Sequence, residues 1–149
     1  MPSAPAPELD GDAGMDSLPF TEFGLTPEDN DLCARDVLSG KKGATTSLHA
    51  AYAHDGEPLP WVGKRSRVRD GRGRPVAIIE VTAVAICPFN SVGADYARIE
   101  GAGDGSLSFW RAVHVEYLQA ECARIGLAWS DEVAVVLETF RLVEALRSG

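Results

Sequence analysis

Two segments of the chain are predicted to be helices, one from the residues that start and end it and one from the spacing of its apolar positions. Residues 27–39 follow Thr26, a good N-cap, and precede Gly40, a residue type that often ends helices. Residues 106–125 place their apolar side chains in one broad stripe at about 100° per residue, and His114 lies inside that stripe. The pattern predicts two main helices over these ranges.

The remaining apolar segments have the character of strands. A short hydroxyl-rich strand follows Gly40, and a hairpin is predicted from SRVRD and PVAIIEVTAVAICPF, which flank a turn at residues 70–73. The second hairpin strand is long and β-branched, which favours a central, mostly buried strand that bends at a bulge. A surface loop is predicted for HAAYAHDGEPLPWVG, and a closing strand for VAVVLETFRLVEAL. These elements indicate one α+β domain with a small, strongly bent sheet or open barrel.

Length and composition place the chain among globular proteins. Its 149 residues suffice for one domain with a core. No apolar run approaches the roughly 20 residues that span a bilayer, and the N-terminus lacks the order of a signal peptide, so we expect a cytoplasmic protein. Cys33, Cys87 and Cys122 are scattered and lack metal-ligand spacing, as do His49 and His54. We therefore expect no metal and no cofactor.

The formal net charge of −8 comes from one end of the chain. Residues 1–31 contain eight carboxylates and no lysine or arginine, and the rest of the chain has 14 acidic and 14 basic residues. The acidity therefore does not exclude a nucleic-acid partner. Residues 1–17, rich in Pro, Ala, Gly and Asp, predict a disordered acidic tail, and residues 18–149 predict the single domain.

Cations and hydroxyls crowd together in the segment GKKGATTSL, residues 40–48. A nucleotide-binding P-loop is excluded, because Arg35 stands where that motif needs its first glycine. Two alternatives remain: lysines that decorate a helix end, or Lys42 acting as a base for the hydroxyl of Thr45, a known variant of nucleophile activation. The spacing alone favours the first.

Two acidic residues lie among the glycines of RIEGAGDGS, which predicts a flexible loop. Asp104 is best interpreted as a cap for the following helix. Glu100 lies too far from that helix to cap it, so it is either an exposed loop glutamate or a carboxylate that meets a ligand. His114, on an apolar helix face, is more often a hydrogen-bonded core histidine than a ligand.

A row of arginines precedes the hairpin turn. Arg65, Arg67 and Arg69 point to one face of a strand at intervals of about 6.6 Å, a spacing that suits successive phosphates. The alternative is a charged edge strand that prevents aggregation. The sequence leaves both open.

Several motifs in this order resemble the ASCH domain, in the branch typified by the bacterial YhfF-like proteins. They are GKKGATTSL, EPLPWVG, PVAIIEVT, PFNSV, the EG and GDGSLSFWRAVH stretch, and the closing strand, and they cover about residues 25–143. The resemblance implies a small bent β-barrel similar to the PUA domain, with flanking helices and a cleft beside the barrel.

The resemblance also implies a function related to RNA, and some members resemble amidohydrolases of acetylated cytidine or ribonucleases. By resemblance, Lys42 would be the proton acceptor, Thr45 the nucleophile and Glu100 the proton donor. Lys41 and the arginine row are candidate phosphate contacts. Further candidates for the cleft are Ser47, Asp104, Trp110 and His114. Gly43 and Trp61 depart from the family pattern at the cleft rim, which leaves the substrate open.

The leading hypothesis is an ASCH domain that binds RNA or a modified nucleoside in its cleft. The alternatives are a hydrolase, either an amidohydrolase of acylated cytidine-type nucleosides or a ribonuclease, and a protein-interaction module. Convergence of Lys42, Thr45 and Glu100 would favour the enzyme, a continuous positive surface would favour RNA, and an uncharged apolar patch would favour a protein partner.

Overall fold

The computed structural model of the protein describes residues 17–21, 23 and 26–146. In chain order the elements are β1 (Phe20–Thr21), α1 (Pro27–Ser39), β2 (Ala44–Leu48), α2 (His49–Asp55), β3 (Arg65–Arg69), β4 (Pro75–Pro88), a 3₁₀ turn (Phe89–Ser91), α3 (Ala94–Glu100), α4 (Leu107–Ile125) and β5 (Ala134–Ala145). Of the predicted tail only Ser17 falls within the described residues, so the tail stays a prediction.

The two main helices lie where the sequence predicts them. At the start of α1 the Thr26 hydroxyl accepts a hydrogen bond from the Asp29 N–H at 3.1 Å. Gly40 ends α1 with φ at 85°, a left-handed conformation that glycine adopts without strain. α4 begins after Ser106, whose hydroxyl accepts from the Phe109 N–H at 3.1 Å. Local capping chemistry therefore fixes these bounds.

One five-stranded sheet in the order β1-β3-β4-β5-β2 forms the centre of the domain. The predicted hairpin is confirmed as β3 paired antiparallel with β4, and β4 pairs along nearly its whole length with β5. The register of β4 shifts between Ile78 and Ile79 and again between Val81 and Ala83, so the predicted irregularity is present and bends the strand.

The α+β class is confirmed, but a closed barrel is not. Within the described residues the strands form an open row, and no pairing joins the two edge strands β1 and β2. The short β1 pairs parallel with β3. The bent sheet is therefore shown, while the barrel implied by the family resemblance is unconfirmed.

Two short helices were not predicted. α2 occupies the first half of the segment expected to be a surface loop and ends at Gly56. α3 occupies residues 94–100, so Glu100 is the last residue of a helix and not part of the expected flexible loop. Both helices are seven residues long, too short for a helical period to stand out from the surrounding glycines and prolines.

Two apolar clusters pack against different parts of the sheet. The larger lies under α4 and includes Trp110, Leu118 and Val135. The smaller lies between α1 and the hairpin and includes Val37 and Phe140. Among residues 17–21, 23 and 26–146, no helix has the length and apolar character needed to cross a membrane.

Candidate functional site

The end of α3 brings Glu100 against the turn that precedes β2. Gly101 ends the helix with φ at 76°, and its N–H bonds to the Ala97 carbonyl. A Cβ at Gly101 would lie 2.1 Å from the carbonyl oxygen of Lys41, a contact that no side chain can make. The Glu-Gly pair is therefore required: glycine permits the close approach, and glutamate then points into the interior.

Glu100 accepts hydrogen bonds from several side chains at once. Its Oε1 accepts from the Thr46 hydroxyl at 2.7 Å and from the Trp110 indole N–H at 2.8 Å. Its Oε2 lies 2.9 Å from His114 Nε2 and 3.5 Å from Lys42 Nζ. The Glu100 side chain is only 5% exposed. We call these five residues the Glu100 cluster.

The Glu100 cluster holds its carboxylate in the charged form. Burial by itself would raise the pKa of Glu100, but the hydrogen bond from His114 and the charge of Lys42 outweigh it and lower the pKa to about 2. His114 Nδ1 lies 2.8 Å from the Trp110 carbonyl oxygen and must donate to it. A carboxyl that is ionised at neutral pH is in the wrong state for a proton donor, the role that the family resemblance implies for Glu100.

Lys42 is fixed in place from several directions. Its Nζ donates to the Ala44 carbonyl oxygen at 2.8 Å and lies 4.9 Å from the centre of the Phe23 ring. Its backbone N–H donates to the Asp36 carbonyl at the end of α1 at 2.9 Å. Lys42 is buried, so the ion pair with Glu100 offsets the cost of desolvating its charge.

Strand alternation places neighbouring hydroxyls of β2 on opposite sides of the sheet. Thr46 points to the Glu100 cluster, so Thr45 and Ser47 point away from it. Residues directly opposite in an antiparallel pair share a side. The side away from the Glu100 cluster, here called the Thr45 side, carries Thr45, Ser47, Glu138, Val136, Val84 and Ile86, of which Val136 is fully buried.

The predicted trio of Lys42, Thr45 and Glu100 is thus only partly brought together. Lys42 and Glu100 form an ion pair, while the hydroxyl that reaches Glu100 belongs to Thr46. Among the described residues the Thr45 hydroxyl makes no hydrogen bond, although the Thr45 carbonyl oxygen accepts one from the Tyr96 hydroxyl at 2.7 Å. The catalytic roles themselves stay predictions.

Glu138 is the acidic residue of the Thr45 side, and sequence reasoning missed it. It lies on β5 opposite Thr45 and is half-buried. Burial raises the pKa of its carboxyl, and the charges of Lys64 and Lys42 only partly oppose this effect. Ser47, beside it on β2, shares a hydrogen bond of 2.7 Å with the Tyr52 hydroxyl.

The arginine row makes contacts within the chain. Arg65 pairs with Glu80 at 2.9 Å, and Glu80 also pairs with Arg141 at 3.3 Å. The guanidinium carbons of Arg67 and Arg69 lie 3.9 and 3.5 Å from the centre of the Phe20 ring. These partners hold β1 against β3. A role of the row in binding phosphate therefore stays a prediction.

The other predicted candidates divide between the two sides of the sheet and the surface. Trp110 and His114 belong to the Glu100 cluster. Asp104 is exposed and accepts from the Ser106 N–H at 2.9 Å, so it supports the start of α4 without being its N-cap. Lys41 is exposed at the turn before β2. The described part of the chain contains no group of three or more His, Cys, Asp or Glu residues placed to hold a metal ion.

Comparison with known proteins gives one family and several solved structures. The family model described as ASCH domain matches residues 19–144. The ASCH domain from Lactobacillus crispatus JV V101 is 35% identical with a TM-score of 0.81, over 85% of this chain and 80% of that one. Protein EF3133 from Enterococcus faecalis V583 is 28% identical with a TM-score of 0.77, over 89% of this chain and 84% of that one.

A more distant likeness concerns the fold alone. The ASCH protein from Zymomonas mobilis is 14% identical with a TM-score of 0.51, over 85% of this chain and 71% of that one. No curated protein matches this chain.

Proposed function

Because this chain belongs to the ASCH domain family, we propose that it binds RNA or a modified nucleoside on the Thr45 side of its sheet. The family is proposed to bind RNA, and the matched region includes the Glu100 cluster and the Thr45 side. Membership of the family supports this class of ligand, and the contrast between the two sides of the sheet supports the Thr45 side as the place where it would bind.

One observation carries the proposal: the Glu100 cluster has used its polar groups internally, whereas on the Thr45 side only Ser47 has done so, through its hydrogen bond with the Tyr52 hydroxyl. Both carboxylate oxygens of Glu100 already accept from side chains in the interior. On the Thr45 side, the hydroxyl of Thr45 has no partner among the described residues, and Ile86 is 49% exposed. A surface that combines polar groups with exposed apolar area suits a nucleobase, which has a polar edge and a flat apolar face.

The role of the Glu100 cluster in this proposal is positional. It fixes Lys42 and Thr46 at the start of β2, and so fixes the backbone that presents Thr45 to the opposite side. Lys42 also lies close enough to Glu138 to lower the pKa of that carboxyl.

Hydrolysis of an acylated nucleoside is a second candidate function. It is favoured by the ion pair between Lys42 and Glu100, the two residues to which the family resemblance assigns proton transfer. It is disfavoured by the lowered pKa of Glu100 and by the lack of a hydrogen bond from the Thr45 hydroxyl to either residue. If the protein hydrolyses acetylated cytidine, Thr45→Val should abolish turnover; full activity of that variant would exclude Thr45 as the nucleophile.

Two neighbouring substitutions test the proposed binding side. Thr45→Val and Thr46→Val each replace one hydroxyl by a methyl group of similar size, on opposite sides of β2. We expect Thr45→Val to weaken binding of a fluorescently labelled single-stranded RNA in an anisotropy titration while leaving the melting temperature unchanged. Thr46→Val should lower the melting temperature and leave RNA affinity unchanged below that temperature. The opposite assignment would place the ligand on the Glu100 side.

The salt dependence of binding tests the arginine row separately. Three phosphate contacts would contribute a log–log slope of about −2 for single-stranded RNA. Because Glu80 already neutralises Arg65, we expect a smaller change in slope when Arg65, Arg67 and Arg69 are all replaced by Gln. The triple variant is compared with Lys41→Gln, a single change at an exposed residue. If Lys41 contacts a phosphate, Lys41→Gln should reduce the slope of the salt dependence by about 0.7. A reduction of about 2 in the triple variant would make the row the main phosphate contact.

A further inference from the structure

Tyr96 on α3 connects the Glu100 cluster to the backbone of Thr45. It lies four residues before Glu100, a spacing that places both side chains on the same face of a helix. Its hydroxyl donates to the Thr45 carbonyl oxygen at 2.7 Å and lies 3.3 Å from the Thr46 hydroxyl. One short helix therefore holds the buried carboxylate on one side of β2 and also the backbone of Thr45, whose side chain points to the other side.

The protons of the two hydroxyls show which group Tyr96 binds. A hydroxyl has one proton to donate, and the Thr46 hydroxyl donates its proton to Glu100 Oε1 at 2.7 Å. The Tyr96 proton goes to the Thr45 carbonyl oxygen. Burial and the nearby charge of Glu100 raise the pKa of Tyr96, so its phenol remains protonated at neutral pH. Tyr96 is therefore a permanent donor to the backbone of β2.

The ring of Tyr96 is held independently of its hydroxyl. It packs edge-on against the Trp110 ring, with ring centres 6.3 Å apart and planes at 87°, and it contacts the larger apolar cluster under α4. Trp110 in turn donates to Glu100. Removal of the Tyr96 hydroxyl alone should therefore leave the ring in place, so the hydrogen bond to Thr45 can be tested separately from the packing.

The position of β2 in the sheet explains why such a bond matters. β2 lies at one end of the strand order, and among the described strands it pairs with β5 alone. A strand with a neighbour on one side only has fewer contacts to restrain its backbone. The Thr45 hydroxyl has no partner among the described residues, so its position depends on that backbone. A group already held in its bound position loses less conformational freedom when a ligand binds.

We propose that Tyr96 is a positioning residue for ligand binding on the Thr45 side: its hydroxyl fixes the backbone of Thr45 and thereby the direction of the Thr45 hydroxyl. The inference rests on the proposed function and adds to it a residue on the Glu100 side, away from the ligand. Tyr96→Phe should weaken binding about fivefold, the factor that corresponds to one neutral hydrogen bond.

The test is a double-mutant cycle with the same labelled single-stranded RNA, measured by anisotropy at one salt concentration. The four proteins are wild type, Tyr96→Phe, Thr45→Val and the double variant, and thermal melts show that each is folded at the titration temperature. If Tyr96 acts through Thr45, Tyr96→Phe should weaken binding less than about twofold once the Thr45 hydroxyl is absent, because coupled residues are not additive. A further fivefold loss in the double variant would overturn the inference.

A control variant and a spectroscopic measurement keep the outcomes distinct. Tyr117→Phe removes the hydroxyl of another half-buried tyrosine, which faces Glu121 on α4, and should keep the wild-type affinity. The carbonyl carbon NMR signal of Thr45 should move in Tyr96→Phe and stay in place in Tyr117→Phe. An unchanged affinity or an unchanged Thr45 signal in Tyr96→Phe would overturn the inference while leaving RNA binding intact. No binding of the RNA or of free nucleosides by the wild-type protein would overturn the proposed function together with the inference.

Discussion

Glu100 and Glu138 are two carboxyls held by neighbouring parts of one sheet in opposite ways. Glu100 is almost fully buried, accepts from Thr46, Trp110 and His114, and has a pKa lowered to about 2. Glu138 is less buried, has no hydrogen-bond partner among the described residues, and has a raised pKa. Burial opposes the charge in both cases, so the difference comes from the partners.

The difference in partners suggests different roles for the two carboxyls, Glu100 in the stability of the fold and Glu138 in ligand binding. A buried carboxylate that has its hydrogen bonds contributes to the folded state, and removal of one member of such a group leaves the others unsatisfied. A carboxylate without partners contributes little or costs stability, and such groups are typical of sites that meet a ligand. We therefore propose that the Glu100 cluster positions the site and that Glu138 is available to a ligand.

The largest expected effect is that of Glu100→Gln on stability. The amide NH₂ of Gln would face groups that themselves donate hydrogen bonds to Glu100. The change would also leave the buried charge of Lys42 without its partner. We expect a loss of about 3–5 kcal/mol in the free energy of unfolding, measured by urea denaturation. Glu144→Gln on the surface is the control. A loss below about 1 kcal/mol would mean that the two carboxyls do not differ as the structure indicates.

A smaller loss is expected for Thr46→Val. The change removes one of the donors to Glu100 Oε1 but leaves the indole N–H of Trp110 bonded to the same oxygen. The expected cost is about 1–2 kcal/mol in the same denaturation experiment. Thr45→Val should cost almost nothing, since its hydroxyl has no partner in the described part of the chain. Equal losses in the two variants would remove the distinction between the two sides of β2.

The smallest effect is a gain in stability for Glu138→Gln. Because its folded pKa is raised above the usual 4.5, the ionised carboxyl disfavours the folded state at pH values above that raised pKa. The variant should melt a few degrees higher than wild type at pH 7, and the gain should disappear as the pH falls and wild-type Glu138 takes up its proton. A lower melting temperature at pH 7 would show that Glu138 has a stabilising partner.

The contribution of Glu100 to stability depends on pH in the opposite way to that of Glu138. Its folded pKa is lowered, so its contribution to stability is complete above its usual pKa of 4.5 and is lost as the pH falls towards about 2. The stability difference between wild type and Glu100→Gln should therefore shrink below pH 4.5. Thermal melts at a series of pH values measure both effects, and a difference that grows on acidification would contradict the assignment.

The parts of the fold that the sequence predicted are those governed by local chemistry. The bounds of α1 follow from Thr26 and Gly40, and the hairpin follows from the turn at residues 70–73. α3 was missed because seven residues ending in glycines give no helical period. The family resemblance identified Glu100 as a site residue, but its position at a helix end depends on the contact of Gly101 with the Lys41 backbone.

The sequence could not show on which side of the sheet each hydroxyl of β2 lies. The run Thr45, Thr46, Ser47 is polar at every position, so alternation of polar and apolar residues could not show which hydroxyl faces inward. Glu138 was missed for a different reason. Its environment is made by burial in the folded sheet and by the charges of Lys64 and Lys42, which are distant from it in sequence.

The most direct test of the central claim is a methyl NMR titration with the RNA. Val84 and Ile86 report on the Thr45 side, while Leu118 and Leu137 belong to or pack against the core cluster on the Glu100 side. We expect the methyl signals of Val84 and Ile86 to shift on addition of a single-stranded RNA and those of Leu118 and Leu137 to remain in place. Shifts confined to Leu118 and Leu137, or no shift at saturating RNA, would contradict the account.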